Sequence, residues 1–149
     1  MILSLISLSQ TLVLAGDSKP TYEMVDGYFY KPGAKPIHLV HNFDKYYLGR
    51  GDELDLHIDL KLKVGLINPC TDKEEDKCKF QVSFIEKDTT GKEAVVSSKY
   101  IERYFGEQMG FGWDDKVPRG ISGDEAIVRV TVIKNSNEYF RFDIPIVVN

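Results

Sequence analysis

The sequence is poor in the residues that most often build metal centres and reactive sites. Its 149 residues include only two cysteines, three histidines and one tryptophan. Two cysteines by themselves cannot complete a structural zinc site. Basic residues are also outnumbered, because 19 Lys and Arg stand against 23 Asp and Glu and leave a net charge of −4. Since phosphate contacts need clustered positive charge, we expect no nucleic-acid partner, and we expect no metal or other cofactor.

Long hydrophobic runs and catalytic motifs are also missing. No stretch approaches the roughly 18 apolar residues that a transmembrane helix requires, so we expect no transmembrane segment. The chain has no Gly-x-Ser-x-Gly, no His-Glu-x-x-His and no phosphate-cradling glycine loop. His57 lies between Asp55 and Asp59, but strand alternation alone is enough to place these three side chains on a solvated face. We therefore expect no catalytic residue and no enzymatic activity.

Residues 1–15 differ from the rest of the chain. They carry no charged side chain and end in small residues before Gly16, a pattern typical of a secretory signal peptide. The alternative is a buried N-terminal strand or helix. The signal-peptide interpretation leaves residues 16–149 as a single domain, and it predicts a secreted, extracellular or lumenal protein (periplasmic if bacterial).

The two cysteines, Cys70 and Cys78, lie in one short charged segment. In an exported protein they are expected to pair and to close a small loop. In a cytosolic protein they would be free thiols. The disulfide and the signal peptide therefore support the same compartment.

Residues 54–64 carry the clearest structural pattern in the chain. Apolar side chains occupy every second position from Leu54 to Val64, and Asp, His and Lys fill the positions between them. A β-strand sends alternate side chains to opposite faces, so this period predicts a strand with one apolar face and one wet face. Strands of this kind belong to antiparallel sheets that cover a core on one side.

Further alternating or β-branched runs follow at 80–85, 126–133 and 140–148, with turn residues between them. Helical periodicity is almost absent. We therefore predict an all-β fold, a single-domain antiparallel β-sandwich that is immunoglobulin-like, with about seven or eight strands.

Between Tyr100 and Pro118 the strand pattern breaks, because glycines interrupt a cluster of large side chains. This segment has two interpretations: the mouth of an apolar pocket or stacking platform, or a crossover between the two sheets that its aromatic residues anchor in the core. Its large side chains are Tyr100, Tyr104, Phe105, Met109, Phe111 and Trp113.

Several of these features together resemble the lipid-recognition β-sandwich family of ganglioside activators and sterol carriers, the ML domains. They are the alternating strand at 54–64, the run Asn68-Pro69-Cys70 with Cys78 after a short loop, and residues 117–124 before the strand at 126–133. The chain departs from that family in having no N-terminal cysteine. The resemblance implies a cup-like sandwich that takes a lipid tail between its sheets.

These observations lead to two hypotheses of function. The first is a secreted, non-enzymatic protein that holds a lipid or other hydrophobic small molecule between its sheets, with the Tyr100–Trp113 segment as the rim. The alternative is an immunoglobulin-like interaction or adhesion module that recognises an extracellular protein or a glycan through its loops. In the first hypothesis, the side chains expected to line the pocket with that rim are Leu56, Ile58, Phe84 and Phe142.

Overall fold

The computed structural model describes residues 20–41, 43–123 and 125–149. The signal-peptide interpretation of residues 1–15 lies outside the described residues. A first sheet has the strand order β2-β1-β4-β7, and a second sheet has the order β3-β9-β8-β5-β6. The strands of the first sheet are β1 (Tyr22–Tyr30), β2 (Ile37–His38), β4 (Glu53–Leu62) and β7 (Gln108–Lys116). Those of the second are β3 (Tyr46–Leu48), β5 (Cys78–Lys87), β6 (Glu93–Arg103), β8 (Glu125–Lys134) and β9 (Asn137–Val148).

The prediction of an all-β, two-sheet sandwich is confirmed. The described part of the chain holds nine strands rather than seven or eight, because β2 and β3 are only two and three residues long. All neighbouring strands are antiparallel except β3 and β9, which run parallel. Helical structure in the described ranges is limited to one 3₁₀ turn at Glu74–Asp76, and no helix there is long and apolar enough to cross a membrane.

Strand β4 has the predicted alternation and lies between β1 and β7. The side chains of Leu54, Leu56, Ile58 and Leu60 are buried against the second sheet. The strand ends at Leu62, two residues earlier than the apolar pattern predicted. Gly65 takes a positive φ of 83° and turns the chain, which leaves Val64 92% exposed.

The core lies between the two sheets, and every long strand except β6 contributes buried side chains to it. Alternation in β5 and β8 buries one face of each strand, and the β-branched residues of β8 suit this half-buried position. The buried side chains of the second sheet that face the core are Leu48, Phe80, Val82, Phe84, Val128, Val130, Val132, Phe140, Ile144, Ile146 and Val148.

The predicted disulfide between Cys70 and Cys78 is present, with a Cα–Cα distance of 5.5 Å. Its loop is also held by polar contacts with the rest of the fold. The Lys134 Nζ atom donates to Asp76 Oδ1 at 2.8 Å and to the Pro69 carbonyl at 2.9 Å. The loop therefore is fastened to the end of β8 as well as closed on itself.

On the solvent face of the second sheet, Arg129 bridges two carboxylates. It donates two hydrogen bonds to Glu93, at 2.8 and 2.9 Å, and two to Asp143, at 2.8 and 3.0 Å. The hydrogen bonds from Arg129 lower the pKa of Glu93 from 4.5 to about 2. The two ion pairs of Arg129 join β6 to β8 and β9 across the sheet.

The ion pair between Arg129 and Glu93 makes the stability of the fold sensitive to acid. A carboxyl whose pKa is lowered by folding stabilises the native state above its unfolded pKa, and that contribution is lost as the pH falls through its folded pKa. We therefore expect Glu93→Gln to flatten the loss of unfolding free energy between pH 4.5 and about 2. Urea unfolding at a series of pH values measures this slope. Glu102→Gln, at an exposed position of the same strand, is the control and should leave the slope unchanged; equal slopes in the Glu93 variant and the wild type would contradict the assignment.

Candidate functional site

The two sheets end side by side on one flank of the sandwich, where β7 is the edge of the first sheet and β6 the edge of the second. The chain passes directly from β6 to β7 through residues 104–107. Lys99 Nζ donates to the Asp114 carbonyl at 3.3 Å and so joins the two edges. An aromatic cavity also opens between these two edge strands.

This cavity, which we call the edge cleft, has a volume of about 210 Å³. Its floor is aromatic. The rings of Phe80 and Phe111 are stacked with centroids 5.0 Å apart, and the Trp113 ring packs at 6.1 Å from Phe84. The residues that line the edge cleft are Phe80, Lys99, Tyr100, Ile101, Phe111, Gly112, Trp113 and Asp114.

The sequence of β7 explains how the aromatic floor forms. Phe111 and Trp113 alternate with glycines, and they pair directly with Ile58 and Leu56 of β4, so both rings face the core. A Cβ atom at position 110 would lie 2.8 Å from Asp59 Oδ1 on the neighbouring strand, so a larger residue there would require the Asp59 side chain to move. The glycines therefore belong to a regular strand that pairs with β4 in the same sheet.

The mouth of the edge cleft is formed by β6. Tyr100 is 52% exposed and Ile101 is 41% exposed, while Phe80 directly opposite Ile101 on β5 is buried. The ammonium group of Lys79 lies 4.6 Å from the centre of the Tyr100 ring. Apolar surface is thus continuous from the solvent-exposed mouth to the buried floor.

Trp113 is the most informative residue of the edge cleft. Its side chain is 9% exposed, and its indole Nε1 atom is buried without a hydrogen-bond acceptor among the described residues. A buried donor without a partner costs about 1–3 kcal/mol, and buried Trp N–H groups usually find a partner.

A polar cavity of about 330 Å³ adjoins the edge cleft and shares Lys99 and Asp114 with it. Asp55 lies directly opposite Asp114 across β4 and β7, and neither carboxylate forms a salt bridge within the described ranges. Glu53 faces Lys116 in the same way. The surface beside the edge cleft is therefore acidic, with one uncompensated pair of like charges.

The structure brings together three of the ten residues predicted to bind a ligand: Tyr100, Phe111 and Trp113 line the edge cleft. Leu56, Ile58 and Phe84 are buried in the core beneath it, and Met109 is half-buried against that core. Phe142 lies on β9, remote in strand order from β6, and Tyr104 is exposed on the connection between β6 and β7.

Phe105 anchors that connection inside the fold. Its ring packs between Tyr22, at 4.3 Å, and Phe80, at 5.4 Å. Its backbone N–H donates to the Cys70 carbonyl at 2.6 Å, and Asn68 Nδ2 donates to its carbonyl. Phe105 therefore contacts both Phe80, which lines the edge cleft, and Cys70 of the disulfide loop.

The expectation that the strand pattern breaks between Tyr100 and Pro118 is wrong. Strand β6 continues to Arg103, and β7 occupies Gln108–Lys116, so only a short connection separates two regular strands. The crossover interpretation of this segment agrees with that geometry. Glycine is depleted in strands in general, which is why the sequence pattern concealed β7.

Sequence reasoning left five lining residues out of the predicted site: Phe80, Lys99, Ile101, Gly112 and Asp114. Phe80 belongs to an alternating strand, and that pattern already assigns it to the inward face. Lys99 and Asp114 carried no such signal, because their proximity depends on which strands end the two sheets. Long-range strand order, rather than local pattern, places them at the edge cleft.

The polar face of β4 was the other place where the sequence suggested chemistry. His57 Nε2 lies 3.2 Å from Asp59 Oδ1, and His57 is exposed to solvent. In the part of the chain that the structure describes, no three His, Cys, Asp or Glu side chains are grouped as metal ligands. Asp55 lies on this same face at the margin of the polar cavity.

Taken together, these features define a two-sheet β-sandwich with an aromatic cleft between the edge strands β6 and β7. No protein-family model matches the chain, and no curated protein sequence matches it. Among solved structures it is similar to one described as the crystal structure of the C-terminal domain of wzt, with a TM-score of 0.50 and 10% sequence identity. The alignment covers 88% of this chain and 75% of that one. At this level of identity the similarity shows the fold alone.

Proposed function

We propose that this protein is an exported, non-enzymatic binding protein that holds a lipid or other hydrophobic small molecule at the edge cleft. The observation that carries the proposal is the aromatic floor of the edge cleft, which is formed by Phe80, Phe111 and Trp113. Ligand sites are typically concave and apolar, with a few polar groups that fix orientation. The edge cleft has this composition.

The size of the edge cleft limits what can enter. A cavity of about 150 Å³ accommodates benzene, so the 210 Å³ here suits one ring or a short alkyl segment. The core residues Leu56, Ile58 and Phe84 are themselves buried, so a longer lipid would keep the rest of its length outside. The resemblance to ML domains supports the same class of ligand, since that family takes lipid between its sheets.

The alternative proposal is the immunoglobulin-like interaction module. That hypothesis expects both Trp113 and Tyr104 on the surface, where they could contact a protein or a glycan. Tyr104 is 51% exposed, but Trp113 is buried in the edge cleft. The position of Trp113 therefore favours a small hydrophobic ligand over a flat recognition surface.

Titration with 1-octanol tests the proposed function directly. Trp113 is the only tryptophan of the chain, so intrinsic tryptophan fluorescence reports on the floor of the edge cleft. We expect a saturable change in wild type, and binding at least about tenfold weaker in Ile101→Asp, because a carboxylate at the apolar mouth must be desolvated.

Val95→Asp is the matched control. Val95 is also exposed on β6 but does not line the edge cleft, so its replacement should leave the affinity unchanged. A fluorescence response that never saturates, or equal affinity in the two variants, would reject the edge cleft as the binding site and leave the interaction module as the better proposal.

A further inference from the structure

The turn that follows β4 presents apolar side chains to solvent. We propose that this turn, residues 64–67, which we call the apolar tip, docks the protein on the surface of a lipid bilayer that contains anionic lipid. The proposal goes beyond the binding of a ligand at the edge cleft and does not depend on it. It stands on three features of the apolar tip: its exposure, its convex shape and the lysines beside it.

The side chains of the apolar tip are almost fully in contact with water. Val64 is 92% exposed, Ile67 is 90% exposed and Leu66 is 46% exposed. Apolar residues that are exposed singly are common on protein surfaces, whereas contiguous apolar patches mark sites of interaction. Three large aliphatic residues within four consecutive positions form such a patch, and their transfer out of water is favourable.

The backbone explains why these side chains project. Leu66 N donates to the Lys63 carbonyl at 3.2 Å, so residues 63–66 form a β-turn with Val64 at its second position. Gly65, at the third position, has the positive φ of 83° that a type II turn requires there. A convex turn of this size is far smaller than the roughly 1,000 Å² that a stable protein interface needs. The boundary between the headgroups and acyl chains of a bilayer accepts apolar groups to a depth of about 5–10 Å without a matching surface.

The base of the apolar tip is fastened to its neighbours. Lys63 N donates to the Thr21 carbonyl at 3.0 Å, and Leu62 N donates to the Glu107 carbonyl at 2.7 Å. Glu107 belongs to the connection between β6 and β7, the two strands that form the edge cleft. A bilayer that receives the apolar tip therefore lies beside the connection that joins the two strands of the cleft.

Two lysines flank the apolar tip on its N-terminal side. Lys63 directly precedes it, and Lys61 lies two residues earlier on β4. Glu23 is opposite Lys61 on β1, yet neither lysine forms a salt bridge within the described ranges. Lysine side chains extend far enough to reach headgroups when apolar neighbours insert. Because each such lysine favours an anionic surface, these two specify bilayers that contain anionic lipid.

Co-sedimentation of the full chain with vesicles tests the apolar contribution. The vesicles are made of phosphatidylcholine and phosphatidylserine. We expect Val64→Ser/Ile67→Ser to bind at least about tenfold more weakly than wild type, because two aliphatic side chains are lost from the bilayer interface. The substitution leaves the charge of the protein unchanged. Since both positions are exposed, it is expected to leave the fold intact, which circular dichroism checks.

Tyr47→Ser/Val95→Ser is the matched control. Tyr47 is 65% exposed and Val95 is 62% exposed, but both lie on the second sheet, whereas the apolar tip extends from the first. We expect this variant to bind the vesicles as wild type does. Every variant keeps residues 1–15, so that apolar segment cannot account for a difference between the variants.

The charge contribution is tested by changing the vesicle composition. We expect wild type to bind the mixed vesicles at least about tenfold more tightly than vesicles of phosphatidylcholine alone, and Lys61→Gln/Lys63→Gln to lose most of this preference. Lys87→Gln/Lys92→Gln removes the same charge beside the turn between β5 and β6, and it should keep the preference.

Each outcome supports or overturns a defined part of the proposal. Equal binding by wild type and Val64→Ser/Ile67→Ser, or no binding of wild type to either vesicle, overturns docking on a bilayer. If analytical ultracentrifugation shows wild-type dimers that the serine variant loses, the apolar tip contacts a second copy of the chain, and docking on a bilayer is again overturned. Equal binding to the two vesicle compositions overturns the requirement for anionic lipid. The 1-octanol titration reports on the edge cleft alone, so failure of the proposed function leaves docking intact.

Discussion

Replacing Phe80 with alanine is expected to lower the free energy of unfolding by about 3–5 kcal/mol. Phe80 is 1% exposed and lies between two other rings, with centroid distances of 5.4 Å to Phe105 and 5.0 Å to Phe111. Its removal would leave a cavity that connects the core to the edge cleft. Because small domains are typically stable by about 5–15 kcal/mol, one substitution is expected to remove a large share of the total.

Urea unfolding followed by circular dichroism measures this loss. Ile101→Ala is the control, since Ile101 pairs directly with Phe80 on the neighbouring strand but is 41% exposed, and its replacement is expected to cost about 0.5 kcal/mol or less. A cost below about 1 kcal/mol for Phe80→Ala would contradict the stacked arrangement, because that value is typical of a surface change. Phe80→Leu, which keeps most of the apolar volume, should fall between the two.

Removal of the disulfide is expected to have the second largest effect. Cys70 and Cys78 are separated by eight positions, and closing a loop of this length stabilises a protein by about 2–3 kcal/mol through the lost entropy of the unfolded chain. We expect Cys70→Ala/Cys78→Ala to lose about this amount. The Phe105 N–H donates to the Cys70 carbonyl, so the connection between β6 and β7 is expected to loosen with the loop.

Thermal unfolding of the wild type with and without a reducing agent provides an independent measure of the same quantity. Reduced wild type and the double variant should have similar midpoints, both below that of the oxidised protein. A reducing agent should leave the midpoint of the double variant unchanged. If reduction leaves the wild-type midpoint where it was, the polar contacts of Lys134 hold the loop without the disulfide.

Much of the architecture follows from short-range pattern. The alternation from Leu54 to Leu62 predicts β4 because its period of two can bury only one face of an extended chain. The same reasoning predicts β8 and β9, and the close spacing of Cys70 and Cys78 predicts their pairing. These features depend on residues that are near one another in sequence, so a local reading is sufficient.

In the region from Tyr100 to Trp113, the local sequence pattern is not sufficient to predict the structure. Its glycines suggested irregular backbone, but Gly110 lies in a regular strand directly opposite Asp59 of β4. The sequence marks Phe111 and Trp113 as large apolar residues and says nothing about which strand they pack on. Their partners, Ile58 and Leu56, lie some fifty positions earlier in the chain, so only pairing in three dimensions reveals the contact.

The sequence by itself determined the sandwich class, the strand at the centre of the first sheet and the disulfide, because alternation and short spacing act within one segment. Only the tertiary structure decided that β6 and β7 are each an edge strand of their sheet and that these two edges meet. That meeting places Lys99 against Asp114 and exposes one flank of an aromatic core, with Trp113 at its floor. The physical reason is that an edge strand is defined by the neighbour it lacks, a property of the assembled sheets that no single segment encodes.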